Sequence, residues 1–184
     1  MNLRFADRMN NAQKSFIREI LKVVGNPEIL SFAGGLPNPI SFPIKKIQEA
    51  TDKILEEDGE NILQYSTTEG YLPLREYISE RYLKNSGVVV PPDEILITNG
   101  SQQGLDLIGK VFLNKGDCML MEEPGYLGAI QAFSMFEPEF KTVLMNHDGV
   151  DTEKLKESIE KYNPKLFYAV PNFHNPSGIT YSEE

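Results

Sequence analysis

The chain has 184 residues, 40% of them hydrophobic and 24% charged, enough to bury one substantial core, so disorder is not the default expectation. Its formal net charge of −9 repels phosphate backbones and anionic lipid over most of the surface, which argues against nucleic acid or a membrane as the main partner. The single cysteine, Cys118, has no partner for a disulfide or a metal cluster and reads as a small core residue in a reducing compartment.

The opening segment, through Gly25, spreads charge among its apolar residues and lacks the continuous apolar core of a secretion signal, so the cytoplasm is the expected location. No apolar run approaches the ~20 residues that cross a bilayer. Within that segment Ile17, Ile20, Leu21 and Val24 follow helical spacing, and Gly25 with Asn26-Pro27 ends the pattern. "SFAGGLPNPISFP", Ser31 to Pro43, carries two adjacent glycines and three prolines and suits an extended arm. A second amphipathic helix follows, with Ile44, Ile47, Ile54 and Leu55, ending near Gly59. A third begins at Pro73, with Leu74, Tyr77, Ile78 and Tyr82 on one side.

Beyond Pro91-Pro92 short apolar runs alternate with helical patterns. Strands are expected at Ile95 to Ile97, Cys118 to Met121, Phe140 to Met145 and Leu166 to Val170. Helices are expected from Ser101 to Leu113, around Gly128 to Phe136 and around Asp151 to Tyr162. This alternation predicts an α/β fold, a mainly parallel sheet with helices on both faces. In such sheets ligands gather where strands end and loops lead into helices. Three loops occupy those places.

In "ITNGSQQGLDL", Gly100 permits a tight turn, and the amides of Ser101, Gln102 and Gln103 would face outward from a helix N-terminus, ready for an anion such as phosphate. Alternatively Ser101 or Asn99 simply caps the helix. The spacing of a P-loop is absent. In "EEPGYLGAI", Tyr126 follows a turn shaped by Pro124 and Gly125 and would either stack on a planar ring or pack in the core. In "PNFHNPSG", Asn175 can donate to a phenolate-like oxygen, while Asn-Pro and Ser-Gly also read as ordinary turn signals. His174, with no second ligand at metal spacing, reads as a hydrogen-bonding loop residue. Together the loops supply an anion cradle, a stacking ring and an amide donor, which would hold a phosphorylated aromatic aldehyde, pyridoxal phosphate.

With "SFIREILKVV", "LSFAGGLPNPISFP", "LQYSTTEGYLPLRE" and these three loops in order, the chain resembles the fold-type I aminotransferases of class I/II. Within them it is most similar to the 2-aminoadipate, kynurenine and multi-substrate branch. The resemblance implies that residues 1–43 form an N-terminal helix and arm. Residues 44–184 would be the N-terminal part of the large pyridoxal phosphate domain, its remainder and the small domain missing. It implies Ser101 and Gln102 at the cofactor phosphate with Gln103 adjoining, Tyr126 over the pyridine ring and Asn175 at the ring's 3-oxygen. It implies Tyr65 reaching the phosphate of a neighbouring subunit in a homodimer, Gly35 against the substrate carboxylate and Arg18 on a mobile helix over the substrate. The bonds before Pro124 and Pro176 are often cis in this family. Substrates would be an L-amino acid and a 2-oxo acid, with no metal.

One departure matters most. Transamination needs a lysine that binds the cofactor and moves a proton at the amino-acid Cα; the family places it in an S-x-x-K setting well after the "NPSG" loop. All thirteen lysines here precede that loop. The family's pyridinium-pairing aspartate, its accompanying tyrosine and its C-terminal carboxylate-binding arginine are likewise missing. The sequence therefore reads as the N-terminal portion of a longer enzyme, inactive alone. A pyridoxal-dependent C–S lyase of the same fold and the effector domain of a transcription regulator are the alternatives.

Overall fold

The computed structural model describes residues 4–11 and 35–183. The helix expected around Ile17 to Val24, Arg18 within it, and the first part of the arm lie outside the described residues. The chain divides into two compact units, Lys14–Ile97 and Met1–Gln13 with Thr98–Glu184.

In the first unit, α1 spans Ile44–Ile62 and α2 spans Leu72–Ser86. The sequence pattern ends α1 near Gly59, and the helix does break there, with Asp58 at φ −150, ψ 28, before a last turn to Ile62. The apolar stripe of α1 forms as expected, but Ile44, Ile47, Ile54 and Leu55 all remain exposed. On α2 the buried side chain is Arg75 rather than the expected apolar set. Its Nε donates to Gly70 O at 3.1 Å and a terminal nitrogen to Pro92 O at 3.0 Å, tying the helix to the short 3-10 turn Pro92–Glu94. Asp93 stands 3.7 Å from the guanidinium but is almost fully exposed, so this ion pair adds little.

The expected strand at Ile95 to Ile97 does not form. The backbone is extended at Ile95, and Ile97 N–H bonds to Glu69 O at 2.9 Å, but no described strand runs beside it to complete a ladder. An apolar β-branched run supplies strand propensity; pairing needs a neighbour.

The second unit holds α3 (Gly100–Phe112), β1 (Cys118–Glu123), α4 (Leu127–Ser134), β2 (Glu139–Asn146), β3 (Gly149–Val150), α5 (Thr152–Tyr162) and β4 (Leu166–Tyr168), with the 3-10 turn Asp7–Asn11. The sheet order is β3-β2-β1-β4. Strand β1 pairs in parallel with β2 and β4, and β2 and β3 form an antiparallel hairpin closed by His147-Asp148. The α/β expectation is thus borne out, with one short antiparallel edge that a two-residue strand could not announce.

Register shows why β1 is apolar along most of its length. Met119 and Met121, level with Leu166 and Tyr168 of β4, face a cluster with Leu105 and Leu113 from α3 and its exit, and Ala129, Ala132 and Phe133 of α4. Leu120 and Glu122 face the other way, level with Lys141 and Val143 of β2. There Lys141 Nζ lies 5.5 Å over the ring of Tyr162, which places α5 on that second face. A central strand covered on both sides buries alternate residues equally; Met119, Leu120, Met121 and Glu122 are all at most 2% exposed.

Candidate functional site

The topology of the second unit brings the three suspected loops to one edge. Helix α3 leads into β1 and packs in its core through Leu105, and in such α/β sheets the helix preceding a strand starts on the side of the strand's carboxyl end. Tyr126 follows that same end, and the loop after Tyr168 leaves the carboxyl end of β4, which is parallel to β1.

At the start of α3, Gly100 adopts φ +77, a left-handed conformation that glycine takes without steric cost. Asn99 makes no side-chain cap. Instead Gln103 Oε1 accepts the Asn99 N–H at 2.6 Å, so the helix is closed from within by the glutamine. The Ser101 hydroxyl and Gln102 side chain are exposed and have no partner among the described residues. First-turn amides of a helix lack intrahelical acceptors, and with these side chains they form a cluster of donors at the positive end of the helix dipole.

Tyr126 is half-buried, its ring stacked on Tyr168 with centroids 6.5 Å apart and planes at 24°. Tyr168 in turn meets Phe133 edge-on at 6.0 Å. Burial, with the charge of Glu122 and the neighbouring Tyr126, pushes the Tyr168 phenol up from its ordinary value. Tyr126 therefore stands on a packed aromatic column. Asn175 is exposed, and its side chain makes no hydrogen bond to the described residues. The bonds before Pro124 and Pro176 are both cis, as the resemblance implied.

The sequence reading missed the support beneath Asn175. Glu122, the last buried residue of β1, is 1% exposed. Its Oε2 accepts the Val170 N–H at 2.9 Å, and its Oε1 accepts the hydroxyl of Tyr181. His174, also 1% exposed, places Nε2 3.2 Å from the same Oε2, close enough for attraction although off the line of a hydrogen bond. Its Nδ1 lies 2.7 Å from Ser177 Oγ and accepts the Ser177 N–H at 3.3 Å. An accepting Nδ1 puts the neutral ring's proton on Nε2, facing Glu122. Burial and the bond to Glu122 push the Tyr181 phenol well above its ordinary range. A carboxylate ending an apolar strand run was the only sequence signal for this cluster. His174 is accordingly a hydrogen-bonded loop residue.

The family model of aminotransferase class I and II matches residues 34–184. The chain belongs to this aminotransferase family. It is 48% identical over 174 residues to a 2-aminoadipate transaminase of Thermus thermophilus, covering 95% of this chain and 42% of the relative. It is 39% identical over 185 residues to aromatic-amino-acid aminotransferase 1 of Thermococcus litoralis, covering 98% of this chain and 44% of that one. The crystal structure of LysN, the α-aminoadipate aminotransferase of Thermus thermophilus complexed with N-(5'-phosphopyridoxyl)-L-leucine, superimposes with a TM-score of 0.84 at 47% identity over 97% of this chain and 43% of that one. The chain thus spans less than half the length of the relatives it matches.

For an aminotransferase, the position of the lysines is telling. The S-x-x-K spacing does occur once, from Ser158 to Lys161, but on α5 and ahead of the loop. Lys161 sits in the last turn of α5, the end that leads to the start of β4. Its Nζ lies 4.7 Å over the Tyr162 ring, and that neighbour raises its pKa. A nucleophilic amine needs the opposite shift. In the first unit Tyr65 is 99% exposed, and Gly35 has open space where a side chain would stand. No helix among the described residues is long and apolar enough to cross a membrane.

Proposed function

We propose that this chain carries the phosphate-and-ring side of the pyridoxal phosphate site of an aminotransferase acting between an L-amino acid and a 2-oxo acid. The observation that carries the reading is that the Ser101 and Gln102 side chains at the α3 N-terminus and the Asn175 side chain are all exposed and lack a hydrogen-bond partner among the described residues.

The residues fit the group. Ser101, Gln102 and the first-turn amides would bind the phosphate, with the Gln103 side chain holding the turn from behind and its amino group adjoining. Tyr126 would give the pyridine ring an aromatic face without moving, because Tyr168 already backs it. Asn175 would donate to the 3-oxygen and fix the ring's rotation. When bound, the cofactor supplies an electron sink for the carbanion formed at the amino-acid Cα.

Tyr65, exposed to solvent on nearly its whole surface, suits a phosphate contact in a neighbouring subunit, hence a homodimer of the whole enzyme. Gly35 suits the substrate carboxylate, and Arg18 an acidic or polar substrate side chain. Residues 1–43 are the helix and arm, and 44–184 the N-terminal part of the large domain. We place the enzyme in the cytoplasm, in line with the partnerless Cys118.

Since no lysine follows the "NPSG" loop, these 184 residues alone do not transaminate. Hydrogen bonds worth about 1.5–3 kcal/mol each, even when charge-assisted, do not replace a covalent and proton-moving amine. Purified chain mixed with pyridoxal phosphate, an amino donor and a 2-oxo acid should show no conversion at an enzymatic rate, while still binding the cofactor noncovalently. Rapid conversion would contradict the assignment of the missing lysine, and absence of any binding would contradict the site.

A further inference from the structure

The geometry points to Glu122, His174 and Tyr181 as positioning residues that hold the 171–181 loop so that Asn175 meets the ring's 3-oxygen; this rests on the Asn175 assignment made above.

The loop leaves β4 and closes on itself across a few residues. His174 N–H bonds to Ile179 O at 2.8 Å, Gly178 N–H returns to His174 O at 2.5 Å, and Tyr181 N–H reaches Pro171 O at 2.8 Å. Such a ring of bonds fixes the loop's shape but not its place on the sheet. Glu122 supplies the place. Its two oxygens take the Val170 N–H at the loop's beginning and the Tyr181 hydroxyl at its end, and both partners converge on one buried carboxylate of the central strand. His174, one residue before Asn175, points inward to the same carboxylate, so its neighbour is turned outward and stays exposed.

Two further contacts brace Tyr181. Its ring lies over Gly149, where an added Cβ would stand 2.9 Å from Cγ. Ser182 N–H bonds to Asp148 O at 2.9 Å. A buried carboxylate persists only when its oxygens are satisfied, and here the groups that satisfy it bracket the loop. Asn175 donates nothing to this cluster and stays exposed, without a hydrogen-bond partner among the described residues.

The test uses the 184-residue chain and three variants, Tyr181→Phe, Glu122→Gln and Asn175→Ala. Affinity is measured for pyridoxal phosphate and for 3-deoxypyridoxal phosphate, which lacks the oxygen that Asn175 would bind. Amide exchange is followed at Phe173 to Ile179 and, as a reference, at Met119 to Met121. The parent should prefer pyridoxal phosphate by about tenfold, the worth of one well-made hydrogen bond. Asn175→Ala should erase that preference with loop exchange unchanged. Tyr181→Phe and Glu122→Gln should erase it too, with loop amides exchanging about tenfold faster and the β1 amides unchanged.

A preference intact in both cluster variants would overturn the inference. So would exchange rising equally through β1, since the cluster would then serve general stability. A parent without preference, or Asn175→Ala retaining it, would remove the Asn175 assignment and this inference with it. A preference present in the parent, lost in Asn175→Ala and kept in the cluster variants would remove this inference alone.

Discussion

Gly149→Ala should destabilise the second unit by about 2–5 kcal/mol, from two sources that can be separated. Gly149 has φ +133, a backbone region that residues with a Cβ avoid, and forcing alanine there costs about 1–3 kcal/mol. The new Cβ would also stand 2.9 Å and 3.0 Å from Cγ and Cδ1 of Tyr181, so the ring must retreat by roughly half an ångström to reach ordinary contact. The ring is not free to do so. Its hydroxyl is held by the Glu122 carboxylate and its amide by Pro171, and straining a charge-assisted bond forfeits part of about 1.5–3 kcal/mol. Urea unfolding followed by tyrosine fluorescence gives the total. Repeating it in a Tyr181→Ala background removes the ring, so the cost of Gly149→Ala should fall to the backbone share alone. A loss below about 1 kcal/mol in the parent, close to the roughly 0.5 kcal/mol of ordinary surface substitutions, would rule out both sources. An equal loss in both backgrounds would rule out the steric one.

At Gly100 the same substitution meets open space, so only the left-handed conformation at φ +77 resists it: Gly100→Ala should cost about 1–2 kcal/mol by urea unfolding, and Gly100→Asn less. Phe133→Ala, at a side chain 1% exposed beneath Tyr168, should cost about 3–5 kcal/mol and loosen the aromatic column, seen as a lower melting temperature. Tyr181 yields a pH signature. Its phenol is raised in the fold above the ordinary 10.0, so its stabilising contribution is complete below that pH and declines as pH rises above it. The stability gap between the parent and Tyr181→Phe should therefore be constant below about pH 10 and shrink above it; a gap that widens would contradict the sign.

Helix positions were legible because apolar spacing and end signals agreed. Asp151 opens α5 as a true cap, its side chain accepting the Lys154 N–H at 3.0 Å, and Asn163 closes the helix at φ 43. The core strands were legible because a strand covered on both faces must be a continuous apolar run, as β1 is. Ile95 to Ile97 shows the limit: its composition is that of a strand, but pairing depends on a neighbour that no local pattern reveals. Arg75 shows another, since a charged residue among apolar ones gave no sign that backbone carbonyls of Gly70 and Pro92 would bury it. At the site, the outward-facing residues Ser101, Gln102 and Asn175 stood out because each lies in a loop of unusual composition. Glu122 and Tyr181 did not, because they lie 59 positions apart in the chain and act only through the fold that joins them.

Binding of the cofactor's phosphate at the α3 N-terminus is tested most directly by comparing pyridoxal phosphate with pyridoxal. Titrated into the 184-residue chain, pyridoxal phosphate should bind at least about tenfold more tightly, and the double substitution Ser101→Ala, Gln102→Ala should bring the two affinities together. Equal affinities in the unsubstituted chain would show that the α3 N-terminus does not bind the phosphate.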